Sequence, residues 1–206
     1  MKSLIISCLP LAACASAHPA VERAEGLLDE LRPQVVQMIG HDRGVVPQVC
    51  VSSEIDRLAL VAHAADEVYL VLHPNWLDQP PYRQRFVIAH ELTHLCAPQR
   101  PFPLSEGLAD LVASQLVPQL EPIVWTDHWV VLSDADLVPG ALIRHAPRSD
   151  SEEDELRAYG FFALLRLMET HELHSVAQMD PQAVVTGAPS APELTLIAAD
   201  TLRPDF

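Results

Sequence analysis

Five consecutive residues in this chain have the types and spacing to activate water: His90, Glu91, Leu92, Thr93 and His94. On a helix, residues four apart share a face, so His90 and His94 can offer two imidazoles to one metal ion. Glu91 is offset by about 100° from His90, close enough to reach a water on that metal rather than the metal itself. A carboxylate so placed can take a proton from the water and later deliver it to a leaving amine. At this content of His and Glu, about 0.03 such five-residue matches are expected by chance.

The surroundings sharpen the reading. Phe86, Val87, Ile88, Leu92 and Leu95 spread apolar side chains around most of the same helix. A helix that is apolar on every side is buried, so polar groups within it need partners. A catalytic zinc site takes three protein ligands and keeps a fourth position open. A third ligand of the type His-x-x-Gly-x-x-His is ruled out, because positions 97 and 100 are Ala97 and Arg100. Downstream stands Ser105-Glu106-Gly107-Leu108-Ala109-Asp110. Glu106 is a candidate ligand at the start of a second helix, where Ser105 could serve as cap. Asp110, one turn on, could hold a ligand imidazole by its other nitrogen.

With these residues in view, "HELTH" followed by "PFPLSEGLAD" resembles the gluzincin zinc metallopeptidases, especially compact peptidase-MA-like proteins. The resemblance covers about residues 67–116 and extends weakly to the helix around Tyr159. It implies His90, His94 and Glu106 as zinc ligands, Glu91 as general base and Asp110 as the carboxylate behind a ligand histidine. It implies a zincin-like fold and hydrolysis of peptide bonds in a peptide or protein substrate. It also suggests that a strand in "EVYLVL" lies along the cleft and could pair with an extended peptide. These enzymes commonly add a tyrosine or histidine that stabilises the oxyanion. Tyr159, in "LRAYGFFALL", is the candidate; His145 is the substitute. The loop between His94 and Glu106 is shorter than in aminopeptidases or thermolysin. The competing reading is a non-catalytic, zinc-stabilised envelope lipoprotein that binds or scaffolds a partner. Glu91 argues against it, since a structural site has no need of a base.

The elements that must position these residues can be read from pattern. "VERAEGLLDELRPQVVQMIG" has helical spacing, with Pro33 as a point of kinking or splitting. "PQVCVSS" reads as a strand and "RLALVAHAADEVYLVLHP" as two strands around a turn. Pro80-Pro81 precede a helix from about Tyr82 that carries the two histidines. "EPIVWTDHWVVLSDADLVPG" reads as a strand or loop in which His128, Trp125 and Trp129 have no assigned place. "SDSEEDE" opens a long apolar helix, its carboxylates at the positive end of the dipole. Ser190 and Glu193 are spaced as a capping box for a last helix. His171 and His174 read as helix-end or surface residues. The expected class is α+β: a small sheet beside the helix of the two histidines, then a mainly helical second half.

Composition sets the outer bounds. Hydrophobic residues make up 49% and charged residues 20%, which suits a globular chain. A formal net charge of -15 makes nucleic acid an improbable partner. The only lysine is Lys2, ahead of the apolar run Leu4 to Ala13. This is the layout of a signal peptide over residues 1–17, with a single metallopeptidase-like domain over 18–206. Leu11-Ala12-Ala13-Cys14 resembles a lipobox, which would lipidate Cys14 and anchor the protein to a bacterial envelope membrane. Ala15-Ser16-Ala17 is the alternative cleavage site, giving a periplasmic protein. Export would leave two cysteines in an oxidising compartment, so a Cys50–Cys96 disulfide is expected.

Overall fold

The computed structural model describes residues 18–64, 67–133, 135, 137–144 and 146–194. The signal segment with Cys14, and His145, lie outside the described residues. The chain opens with α1 (Pro19–Ile39), which runs unbroken through Pro33 and ends on Gly40 in the left-handed conformation. Three strands follow: β1 (Gln48–Val51), β2 (Ala59–Ala64) and β3 (Glu67–Leu72). Their order is β1-β3-β2, with β1 parallel and β2 antiparallel to β3. From there the described chain is helical: α2 (Pro81–Cys96), α3 (Phe102–Leu116), α4 (Glu121–Ser133), α5 (Asp150–Leu167), α6 (Leu173–Gln178) and α7 (Pro181–Gly187), with short 3-10 turns at Pro74–Trp76 and Pro139–Ile143. The class is therefore mixed α and β, with a small sheet and a helical second half. No described helix is long and apolar enough to cross a membrane.

The helix α2 is packed against α1, α3 and β2. Ile88, Ala89, Leu92, Leu95 and Cys96 are buried in the main core, as its all-round apolar character requires. The sheet has two different faces. Leu70 and Leu72 of β3 join that core, whereas Tyr69 and Val71 form a smaller cluster with Cys50 and Ile55 on the other side. This is the alternation of side chains along a strand.

That alternation overturns the expected disulfide. Cys50 is on the outer face of the sheet and Cys96 is in the main core, so the sheet lies between their clusters. No disulfide joins them. The cleft strand is corrected too. β3, the "EVYLVL" strand, is paired on both sides and has no edge to offer; β2 is an edge strand and borders the cleft.

Two helix boundaries also differ from the sequence reading. The tryptophan-bearing stretch is the helix α4, despite its isoleucine and three valines. Trp125 packs edge-on against Phe161 and Phe162 of α5, so tertiary packing outweighs weak local propensity. α3 begins at Phe102, with Pro101 as its N-cap, which moves Ser105 inside the first turn.

The frame of the site is the crossing of α3 and α5. At Gly107 an added Cβ would lie 2.4 Å from the Gly160 carbonyl carbon and the Phe161 nitrogen. At Gly160 it would lie 1.9 Å from the Pro103 carbonyl oxygen. Only hydrogen fits at either position, so the two backbones touch and Glu106 and Arg157 are brought together.

Candidate metal centre

His90 and His94 stand on consecutive turns of α2, and Glu106 on the second turn of α3. The Nε2 atoms of the two histidines are 3.1 Å apart. Glu106 places Oε1 3.3 Å from His94 Nε2 and Oε2 3.4 Å from His90 Nε2. The three side chains thus converge on one point and could hold a metal ion. Among the described residues no other histidine, cysteine or carboxylate completes such a group with them.

Both rings are held from behind. His90 Nδ1 donates to Asp110 Oδ1 at 2.8 Å, and His94 Nδ1 is hydrogen-bonded to Ser105 Oγ at 3.0 Å. Both bonds engage Nδ1 and leave the two Nε2 atoms facing Glu106. The helical offset that puts Ser105 beside His94 also turns Glu106 toward the histidines. Asp110 follows one turn later, as its spacing from Glu106 predicts.

Two more side chains join the group from distant elements. His128 of α4 donates from Nε2 to Asp110 Oδ2 at 3.0 Å. Arg157 of α5 donates from Nη2 to Glu106 Oε2 at 2.7 Å, and its Nε lies 3.2 Å from Asp110 Oδ2. The sequence reading left His128 unplaced and did not single out Arg157. The available signal for Arg157 was a cation set between Leu156 and Ala158, both buried, two residues before Tyr159.

The electrostatics follow from this crowding. Burial opposes charge on Asp110, but Arg157 and His90 outweigh it and hold the carboxyl far below its usual range. Burial likewise opposes charge on Glu106, and the two imidazoles hold it well below the carboxylate range. Burial works against a charged His90, yet Asp110 and Glu106 raise its pKa to about 10. In Arg157 the same two carboxylates overcome desolvation and raise the pKa. A proton and a metal therefore compete for a strongly anionic pocket.

Glu91 is a buried residue that lines the cleft, with no hydrogen bond or ion pair to any described residue. The cleft holds about 640 Å³. β2 forms one wall, α2 the floor and the start of α5 the far side.

Tyr159 is not in this cleft. Its side chain is fully buried, and its hydroxyl donates to the Pro189 carbonyl at 2.7 Å. Two residues along a helix turn a side chain by about 200°, so the face that gives Arg157 to the site gives Tyr159 to the core. The oxyanion role expected for Tyr159 is therefore withdrawn. His174, with Glu172 at 3.2 Å, is at the surface as read from sequence.

No known protein family, curated protein or solved structure matches the chain.

Proposed function

We propose that the protein is a zinc-dependent hydrolase of peptide bonds, with His90, His94 and Glu106 as ligands and Glu91 as general base. The observation that carries the reading is the convergence of the two Nε2 atoms and the Glu106 carboxylate at the floor of an open cleft, beside a Glu91 with no hydrogen bond or ion pair to any described residue. The 3.1 Å between the two Nε2 atoms is close to the edge of a tetrahedron, and each Nε2 has a different oxygen of Glu106 at a similar distance, 3.3 and 3.4 Å. With metal–ligand bonds of about 2.0–2.1 Å that edge is about 3.3 Å, and two imidazoles with one carboxylate are a donor set zinc accepts.

Zinc bound there would supply Lewis acidity to a water and to the substrate carbonyl. Glu91 takes the proton of the attacking water and passes it to the leaving amine. Asp110 and Ser105 fix the two imidazoles through their Nδ1 atoms. Arg157 orients Glu106 and balances its charge and that of Asp110. Arg157 lines the cleft beside the ligands, where its partly exposed guanidinium could meet a bound carbonyl oxygen. It supplies the donor that Tyr159 does not.

The deciding test is metal analysis of the purified protein together with a peptide-library cleavage assay. About one zinc per chain and cleavage that disappears in Glu91→Gln are expected. A zinc-loaded protein that cleaves nothing would leave the scaffold reading. The lipobox reading predicts palmitate incorporation that Cys14→Ser abolishes; a mature chain beginning at His18 would show the other cleavage.

A further inference from the structure

The cleft has three arginines along it, and two of them are occupied. Arg57 pairs with Glu153 at 3.3 Å and Asp56 at 3.6 Å. Arg157 is held by Glu106 and Asp110. Arg83 is exposed, lines the same cleft and has no side-chain partner among the described residues. In a chain of net charge -15, a cation left without a carboxylate inside the candidate site is conspicuous. It is not alone there. His63 of β2 is also exposed to the cleft. By strand alternation it shares the face of Ala59 and Val61, which pack on the core side of the sheet toward α2. Phe86 and Val87, on the turn of α2 after Arg83, line the cleft between Arg83 and the metal ligands.

We propose that Arg83, assisted by His63, forms a subsite for an acidic side chain on the amino-terminal side of the cleaved bond. The inference rests on the hydrolase reading and adds the substrate class. Arg83 stands seven residues before His90, so the two share a helix face about 10 Å apart. An extended peptide advances about 3.3 Å per residue, which puts the carboxylate about two to four residues from the reacting carbonyl. The direction follows from β2. Its edge is open, and an extended peptide pairs most favourably with it in the antiparallel sense. Arg57, just before β2, is tied to Glu153, one turn from the Arg157 that touches the ligands. β2 therefore runs from the ligand end toward His63, and an antiparallel peptide has its amino-terminal part at His63 and Arg83. The guanidinium offers paired donors to a carboxylate, and a neutral imidazole still offers one N–H.

The test uses zinc-loaded full-length protein and a peptide library with Asp or Glu, Lys or Arg, or Ala at each position around the bond, read by mass spectrometry. Asp or Glu should be enriched about two to four residues before the cut. Arg83→Gln should erase the preference. Arg83→Glu should turn it toward Lys and Arg and lower kcat/KM on the acidic peptide at least about fivefold, with zinc content unchanged. Arg43→Glu is the control. Arg43 is exposed outside the cleft and also lacks a partner among the described residues, so it makes the same change in net charge with no change in preference. Cleavage without acidic preference, acids enriched after the bond, or an equal effect of Arg43→Glu would each overturn the subsite alone. No cleavage of any peptide by the zinc-loaded protein would overturn the hydrolase reading and the subsite with it.

Discussion

At the scale of the residue, the site is built around one buried carboxylate. Asp110 accepts from His90 and His128 and is ion-paired with Arg157, so three elements meet on its two oxygens. Asp110→Asn keeps the shape and removes the charge; metal affinity should fall about 10–100-fold, as measured by competition with a chromogenic chelator. Loss of a ligand is harsher: His90→Ala, His94→Ala and Glu106→Ala should each abolish stoichiometric zinc, and full retention by Glu106→Ala would remove it from the ligand set. Glu91→Gln should keep the zinc and lose about 10²–10⁴-fold in turnover, because it lacks only the base. His90 with His94, and Glu106 with Asp110, could be paired from sequence because helical spacing puts each pair on one face; Glu91 follows His90 directly, and Glu106 was joined to the histidines by the resemblance of the whole motif. Arg157 and His128 could not. Their places depend on how α4 and α5 cross α3, and no local pattern reports a crossing.

At the scale of the element, the α3–α5 contact decides whether the site exists. An alanine at Gly160 has to push away the Pro103 backbone, not the tip of a flexible side chain. Gly160→Ala should therefore cost at least the ~1–3 kcal/mol of ordinary overpacking, and should weaken metal binding because Glu106 and Arg157 move apart. Gly26 of α1 is the contrast: it is exposed, with open space around its Cβ position. Gly26→Ala should stabilise the protein by about 0.5–1 kcal/mol in urea melts and leave the metal untouched. The cysteines provide a check on the sheet. Denatured, unreduced protein should present Cys96 to a thiol reagent, whereas native Cys96 should resist it, buried and with its pKa pushed up to about 11. Most elements were legible from hydrophobic period and proline placement: α1, the three strands, α2 and α5. The disulfide failed because a cysteine count carries no information about which face of a strand each thiol occupies. α4 failed because its valines and isoleucine favour strands, and only the aromatic contacts with α5 make a helix the better packing.

At the scale of the whole molecule, a metal bound to the folded chain alone must stabilise it, by about 2.7 kcal/mol at a hundredfold excess over Kd. The α+β class and helical second half were readable because the strands cluster between residues 48 and 72 and every described element after them is helical. The order β1-β3-β2 was not, since pairing across a sheet is a long-range choice. The site links the stability of the metal-free molecule to pH. In chelated protein His90 carries a proton, held by Asp110 and Glu106 against the cost of burial, with a pKa of about 10. In the unfolded chain an ordinary histidine titrates near 6.5, so the folded state binds more protons between about 6.5 and 10. That contribution to stability is complete below about 6.5 and is lost as pH rises toward 10. Tm of the chelated protein should therefore fall between pH 7 and 9, by about 2–4 °C for each kcal/mol lost. Zinc competes with the same proton, so its affinity should rise over this range and the gap in Tm between zinc-loaded and chelated protein should widen. Calorimetry in metal-buffered solutions from pH 6.5 to 9 measures both, and His90→Gln in chelator isolates the histidine from other groups that titrate there. If the chelated wild type keeps the same Tm across the range, or follows the slope of His90→Gln, the buried imidazolium is not what ties this site to the fold.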